Sequence, residues 1–263
     1  MHLLLIGCGN IGKALLHSWE KSQENHEVIV VQPSLAAKEL FSHNTIQFVA
    51  NPQQIPNDFN PDAIIIAVKP QVLSDVLPHY QRYARNTLFI SVAAGTTIAY
   101  LQQHLSDGAR VVRVMPNVAM QVAASANLAV AAKNCDAKHK DIAANLFASS
   151  GAVIWLEQEA QLDILTPISG SGPAYFFLLA QLLIDEAVAL GIAQETASHA
   201  VRQTLLGSAL LAEQHPDLIQ LKKSVTSKGG TTEAALGVLE PALPKLIKDA
   251  IASALARQEK LAS

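Results

Sequence analysis

The stretch Leu3 to Leu15 reads L-L-L-I-G-C-G-N-I-G-K-A-L. Apolar residues run straight into three glycines spaced G-x-G-x-x-G, and helical spacing follows to about Lys21. Strand, glycine turn and helix in that order are the context in which this spacing has a mechanism. Gly7 permits a tight turn, Gly9 lets a pyrophosphate approach the backbone, and Gly12 lets the helix pack close on the strand. The free N–H groups at the helix start would face the phosphates. A bare strand-to-helix turn is the plain alternative, and the strand–helix alternation around the fingerprint weighs against it.

That alternation continues outward. His2–Ile6, Glu27–Val31, Ile46–Val49, Asp62–Val68, Thr87–Val92 and Arg110–Met115 read as strands, and Asn127–Ala132 and Ala152–Leu156 extend the series. The run D-A-I-I-I-A-V at 62–68 is apolar on both faces, as in a parallel sheet covered by helices. Helical spacing around 35–42, 71–84, 97–106 and 137–149 fills the gaps, which predicts a doubly wound sheet with right-handed crossovers. After about Glu157 the rhythm changes. Ala174–Leu190, Thr196–Gln214, Asp217–Val225 and Thr232–Arg257 carry only helical periodicity, with Pro241 and Pro244 expected to kink or break the last. The expected fold is α/β: an N-terminal Rossmann-type domain over 1–157, then an all-α domain over 158–263.

Composition excludes several functions. Of 263 residues 50% are apolar, which rules out disorder, and a net charge of -3 argues against a nucleic-acid surface. Charged residues make up only 16%, and Ile164 to Ala212 holds just Asp185, Glu186, Glu195 and Arg202. The uncharged run from Ile164 to Ile184 has spanning length. Pro167, Gly170, Gly172, Pro173 and several hydroxyls interrupt it, so it is not expected to cross a membrane. Val114–Ala132 is interrupted likewise. Helices this apolar need cover, and burial against a twofold mate predicts an obligate homodimer. No signal peptide is evident. Cys8 and Cys135 make neither a disulfide framework nor a metal set, and a reducing, cytoplasmic location is expected.

Candidate site residues cluster where strands end. An NAD-binding chain would carry an acid at the end of the second strand. Gln32-Pro33-Ser34 stands there instead, so a 2′-phosphate is tolerated and NADPH is the expected cofactor, with NADH as the alternative. Ser34 and Lys38 could bind that phosphate, although Lys38 reads equally well as a solvated helix residue. A-V-K-P at 67–70 and V-A-A-G at 92–95 end strands at the ligand-binding edge, and both also suit ordinary close-packed turns. Met115-Pro116-Asn117 and S-G-S-G-P at 169–173 read as structural on physics alone. V-T-S-K-G-G-T-T-E, Val225 to Glu233, puts two glycines and four hydroxyl residues before a helix. Free N–H groups there favour an anion, and a small carboxylate would suit Ser227, Thr231 or Thr232. A single N-cap by Thr231 or Thr232 is the simpler reading, but it would not require the whole cluster. No metal-ligand set, H-E-x-x-H or G-x-S-x-G elbow occurs.

G-C-G-N-I-G, A-V-K-P-Q, S-V-A-A-G, R-V-M-P-N, S-G-S-G-P-A-Y and T-S-K-G-G-T-T occur in this order. From Leu3 to about Glu240 the chain resembles the pyrroline-5-carboxylate reductases. The resemblance implies a Rossmann domain, a helical domain interlocked with a second subunit, an active site between domains, and dimers that can assemble into a ring. It implies that Gly7, Cys8, Gly9, Asn10, Ile11, Gly12 and Ser34 hold the adenosine and phosphates, and that Asn51 touches the adenine ribose. Ala67, Val68, Lys69, Pro70, Ala93, Ala94 and Gly95 would line the nicotinamide half. Ser227, Gly230, Thr231 and Thr232 would hold the substrate, with Thr232 the catalytic contact to its ring nitrogen. Two departures stand out: Lys228 where the family commonly has proline, and Lys223-Ser224 where Asp-Asn is frequent.

The implied reaction reduces L-1-pyrroline-5-carboxylate to L-proline, the last step of proline biosynthesis. A cyclic imine protonated at nitrogen is already electrophilic, so no strong acid–base residue is required. The alternatives are a related dehydrogenase or imine reductase acting on another small carboxylate, and a non-enzymatic nucleotide- or pyridoxal-binding protein.

Overall fold

The structure, a computed structural model, describes residues 1–22, 25–41 and 44–262. Eight strands form one sheet: β1 (His2–Ile6), β2 (Glu27–Val31), β3 (Ile46–Val49), β4 (Ala63–Ile66), β5 (Leu88–Ser91), β6 (Arg110–Met115), β7 (Ser125–Ala131) and β8 (Gly151–Trp155). Their order is β3-β2-β1-β4-β5-β6-β7-β8. All neighbours are parallel except β6 and β7. Successive strand residues point to opposite faces. Leu3, Leu5, Ala63 and Ile65 therefore enter one core layer with Leu15, Trp19 and Phe147. Leu4, Ile6, Ile64 and Ile66 enter the other with Leu73, Tyr80 and Leu101. Two covered faces explain why these strands are apolar without alternation.

Two strands are shorter than expected. The run at 62–68 is strand over Ala63–Ile66 and 87–92 over Leu88–Ser91, with single backbone bonds from Ala67 N–H to Ile6 O and from Val92 N–H to Ile66 O just past their ends. The β6–β7 pair is antiparallel, a direction the sequence pattern left open. A parallel crossover needs roughly a dozen residues, and Pro116 to Ala124 is too short for one. The link turns through Ala123, which takes a left-handed conformation at φ 58°.

Helices α1 (Asn10–Lys21), α2 (Leu73–Val76), α3 (Ile98–Leu105) and α4 (Ala137–Ala148) cover the sheet. The segment expected over 35–42 is a tighter 3-10 turn at Leu35–Leu40, and residue 42 lies outside the described residues. The segment expected over 71–84 divides into 3-10 turns flanking α2, since Pro78 has no N–H to continue an α-helical ladder.

The all-helical part begins earlier than the periodicity indicated. α5 (Glu159–Leu165) passes through a π-helical turn at Thr166–Gly170 into α6 (Gly172–Ala189). Pro167 and the glycines thus lie within helix rather than in a loop, and Pro173 is the second residue of α6. By length and composition alone, Glu159–Ala189 is apolar enough to cross a membrane, its most apolar 18-residue window having a mean hydropathy of 1.3. α7 (Gln194–Gln214), α8 (Leu218–Ser224) and α9 (Thr231–Ala262) follow. α9 runs through Pro241 and Pro244 without ending, so of the kink or break expected there the break does not occur. A proline deletes one backbone bond locally, and the intact turns on either side carry the helix across.

By their internal contacts the residues form two compact units. One is Met1–Ser171 with the C-terminal stretch from Arg257, and the other is Gly172–Ala256. The sheet unit has a dense core. In the helical unit Phe176, Phe177, Leu182 and Leu183 are 61%, 60%, 56% and 53% exposed, so its apolar surface is not covered within the chain.

Candidate active site

In the sheet unit the chain runs from β1 outward to β2 and β3, then crosses back to lay β4 on the other side of β1. Open parallel sheets bind ligands at this reversal, beyond the carboxyl ends of the strands. Backbone bonds draw the expected residues to that edge. Gly7 N–H donates to Val31 O at 2.9 Å, Ala67 to Ile6 O at 2.8 Å, Val92 to Ile66 O at 3.0 Å and Gln32 to Val49 O at 2.9 Å. Gly7–Gly12, Ser34, Asn51, Ala67–Pro70 and Ala93–Gly95 therefore share one rim.

The three fingerprint glycines serve different purposes. Gly7 has φ +89°, and a Cβ there would lie 2.7 Å from Val68 Cγ1 and 2.8 Å from Ala67 O. A Cβ on Gly12 would lie 2.6 Å from Gly7 O. Both positions are closed by the protein itself. A Cβ on Gly9 would meet nothing within 4 Å. Gly9 is the residue before α1, whose first helical bond runs from Lys13 N–H to Gly9 O at 2.9 Å. The earlier N–H groups of α1 are free of helical partners, and its first turn carries no acid. An open face beside free N–H groups fits the pyrophosphate of a dinucleotide.

The flanking residues suit the same ligand. Ser34 is exposed at the start of the Leu35–Leu40 turn and its side chain makes no cap bond. Asn51 holds the same position before Pro52–Gln54, again with no side-chain cap bond. Lys69 is exposed, and Ala93 is buried beside Gly95, which has φ +72°. Cys8 is buried in the loop, and that burial pushes its thiol above the ordinary cysteine range, with Lys13 pulling weakly the other way.

The sequence reading passed over Arg113. It is 2% exposed in β6, and its guanidinium bonds Glu159 Oε1 at 2.5 Å and Asp163 Oδ1 at 3.3 Å. Glu159 Oε1 also accepts the Ile98 N–H at 2.7 Å. The one signal available was a cation inside an otherwise apolar strand. Two residues after β6 ends, Asn117 Nδ2 donates to Ser169 O at 3.1 Å and its Oδ1 accepts from Ala119 N–H at 3.0 Å. M-P-N and S-G-S-G-P, far apart in sequence, are thus tied together at the π-helical turn, a feature that recurs at functional sites.

In the helical unit, Ser227–Gly230 forms a tight turn directly before α9. Gly230 N–H donates to Ser227 O at 3.0 Å, and Gly229, at φ +72°, donates to Glu233 Oε2 at 2.7 Å. A Cβ on Gly230 would strike Ser227 Oγ. The first helical bond of α9 is Ala234 N–H to Gly230 O at 3.2 Å. Thr231 and Thr232 are its first two residues, so neither is the residue before the helix that an N-cap requires. Their N–H groups precede the helical ladder and are available to an anion. Thr232 is half-buried, and Ser227 and Thr231 are exposed. Among the described residues no group of three His, Cys, Asp or Glu side chains could hold a metal ion.

Residues 159–261 match the family profile of pyrroline-5-carboxylate reductase dimerisation. The pyrroline-5-carboxylate reductase of Vibrio alginolyticus is 32% identical to this chain, over 98% of it and 97% of that protein. The chain belongs to the pyrroline-5-carboxylate reductase family. The reductase of Pseudomonas aeruginosa is 36% identical over 76% of this chain and 75% of its own length. Among solved structures, the Coxiella burnetii reductase superposes with a TM-score of 0.91 at 32% identity, covering 99% of this chain and 98% of that one. Residues 2–95 also match the profile of coenzyme F420-dependent NADP oxidoreductases. A Plasmodium falciparum pyrroline carboxylate reductase solved with NADP bound has a TM-score of 0.85 at 27% identity, over 100% and 98% of the two chains. Membership of this family includes a dimerisation region, so self-association is part of the protein's design.

Proposed function

We propose that this chain reduces L-1-pyrroline-5-carboxylate to L-proline, the last step of proline biosynthesis, with NADPH as reductant and NADH as the alternative. The observation that carries the reading is the end-to-end match to reductases of that name, in a chain that holds a phosphate-type loop and a carboxylate-type loop. NAD(P)H, when bound, supplies the hydride that reduces the C=N bond.

The backbone of Gly7, Cys8, Gly9, Asn10, Ile11 and Gly12 holds the pyrophosphate at the start of α1, and Ser34 and Asn51 take the adenosine side. Ala67, Val68, Lys69, Pro70, Ala93, Ala94 and Gly95 line the nicotinamide half. Ser227, Gly230 and Thr231 hold the substrate carboxylate through the free N–H groups at the start of α9. Thr232 bonds the ring nitrogen and orients the imine carbon. Positioning supplies most of the rate in such a step, because reacting atoms held about 3–3.5 Å apart need little reorganisation.

Cofactor and substrate duties divide near residue 157, between a nucleotide-binding part over 1–157 and a substrate-binding and dimerising part over 158–263. The start of the dimerisation match at residue 159 supports that boundary. The exposed apolar faces of α6 and α7 bury against a second copy as a homodimer, and such dimers can close into a ring. The free cysteines Cys8 and Cys135 support a reducing, cytoplasmic setting.

Thr232→Ala tests the chemistry. A lost hydrogen bond to a charged group costs about 1.5–3 kcal/mol, so kcat should fall roughly tenfold to a hundredfold. NADPH affinity and melting temperature should hold. Full turnover by this variant on pyrroline-5-carboxylate would remove Thr232 from the mechanism.

A further inference from the structure

Gln32 is the first residue beyond β2, where an NAD-binding fold places its ribose-binding acid. Its side chain is anchored. Cys8 N–H, inside the glycine loop, donates to Gln32 Oε1 at 2.8 Å, and Gln32 is half-buried. A backbone N–H can only donate, so it fixes which end of the amide faces the loop. The carbonyl oxygen turns inward, and the NH2 group, with its two donors, is left at the opposite end of the amide. Among the described residues no acceptor takes those donors. Ser34, two residues on, is exposed with a hydroxyl uncommitted to any cap, and the first carboxylate after β2 in the sequence is Glu39.

We infer that Gln32 is a specificity-determining residue that selects a dinucleotide bearing a 2′-phosphate, its carbonyl locked to Cys8 N–H and its NH2 offered to the phosphate oxygens. This rests on the dinucleotide-dependent reductase reading above. A phosphate has only acceptor oxygens, so a fixed pair of amide donors matches it, and the neutral amide removes the repulsion an acid would exert. The preference is thereby built in by a locked donor as well as by a missing carboxylate. Gln32 acts on both loops of the rim, since the group that would meet the ribose phosphate also holds the turn that would meet the pyrophosphate.

Gln32→Glu separates these roles with a nearly isosteric change. The carboxylate keeps an acceptor for Cys8 N–H and replaces the donor NH2 with a charged oxygen. Equilibrium binding is read by nicotinamide fluorescence on the full chain, with NADPH and NADH titrated separately and adenosine 2′,5′-bisphosphate as competitor. In the variant the Kd for NADPH should rise by about thirtyfold or more. The Kd for NADH should stay within about threefold, and the bisphosphate should lose its ability to compete. A companion Gln32→Leu chain has neither acceptor nor donor and should weaken both cofactors. If Gln32→Glu shifts NADPH and NADH equally, or shifts neither, Gln32 is only a loop clamp and the inference is overturned. If the unsubstituted chain binds neither dinucleotide, the reductase reading itself falls.

Discussion

The Gly7–Gly12 loop and the Ser227–Thr232 loop are built to one plan, glycines followed at once by the first turn of a helix, yet different forces shape them. The first is wedged between strands. Gly7 bonds Val31, and neither Gly7 nor Gly12 has room for a Cβ against Val68, Ala67 or the Gly7 carbonyl, so the path of this loop is dictated by a close-packed interior. The second is held by its own short-range bonds, Gly230 to Ser227 and Gly229 to Glu233, and most of its residues are exposed. One loop is a consequence of a core. The other is a local turn, which under the proposed function its ligand would fix. An enzyme that must hold a large cofactor and release a small product has use for that contrast.

The sharpest way to break the comparison is Gly7→Ala. The new methyl would meet Val68 and the Ala67 carbonyl while the backbone sits at φ +89°. Strain of that kind together with overpacking costs about 2–5 kcal/mol. Thermal unfolding should show a drop of several degrees or loss of the fold, and an unchanged melting temperature would mean that packing does not shape the first loop. Gly9→Ala comes next and should do the reverse. Its Cβ meets no protein atom and its φ of -75° suits any residue, so stability should move by less than about 1 kcal/mol. The methyl would occupy the space a pyrophosphate needs, so NADPH affinity should fall about tenfold or more in a fluorescence titration. A stable Gly9→Ala chain with normal affinity would mean that the open face is not a binding surface.

How legible each region was follows from the same contrast. Strands and the glycine fingerprint were readable because burial on both faces writes itself into the sequence as apolar runs such as Ala63–Ile66. Reading failed where backbone geometry depends on local detail. Pro78 turned an expected helix into 3-10 turns, a short link reversed β7, and Pro167 lies in a π-helical turn for which periodicity has no signal. Among the site residues the glycines, the Q-P-S corner and the hydroxyl cluster could be named from chemistry alone. Arg113, Glu159 and the Gln32–Cys8 bond could not, because each is a contact between segments distant in sequence, and one sequence carries no record of such pairings. The apolar helices were legible only as a question, since a chain that leaves Phe176 and Phe177 exposed says that something covers them and not what.

The smallest expected effect concerns the thiol inside the first loop. Cys8 is buried and its pKa is raised, chiefly by desolvation of the thiolate; Cys135 is shifted upward for the same leading reason. Alkylating reagents attack the thiolate, so both cysteines should react slowly at pH 8 in the folded protein and at the ordinary rate once it is unfolded. The linkage also has a sign. Through the ordinary thiol range the unfolded chain releases its protons first and the folded chain retains them, so stability should decline as pH rises from about 8 towards 10. Replacing Cys8 by serine or alanine should flatten part of that decline. Rapid, stoichiometric alkylation of Cys8 in the native protein at pH 8 would show that the loop opens readily to solvent, and the two loops would then differ in sequence but not in the rigidity on which their contrast depends.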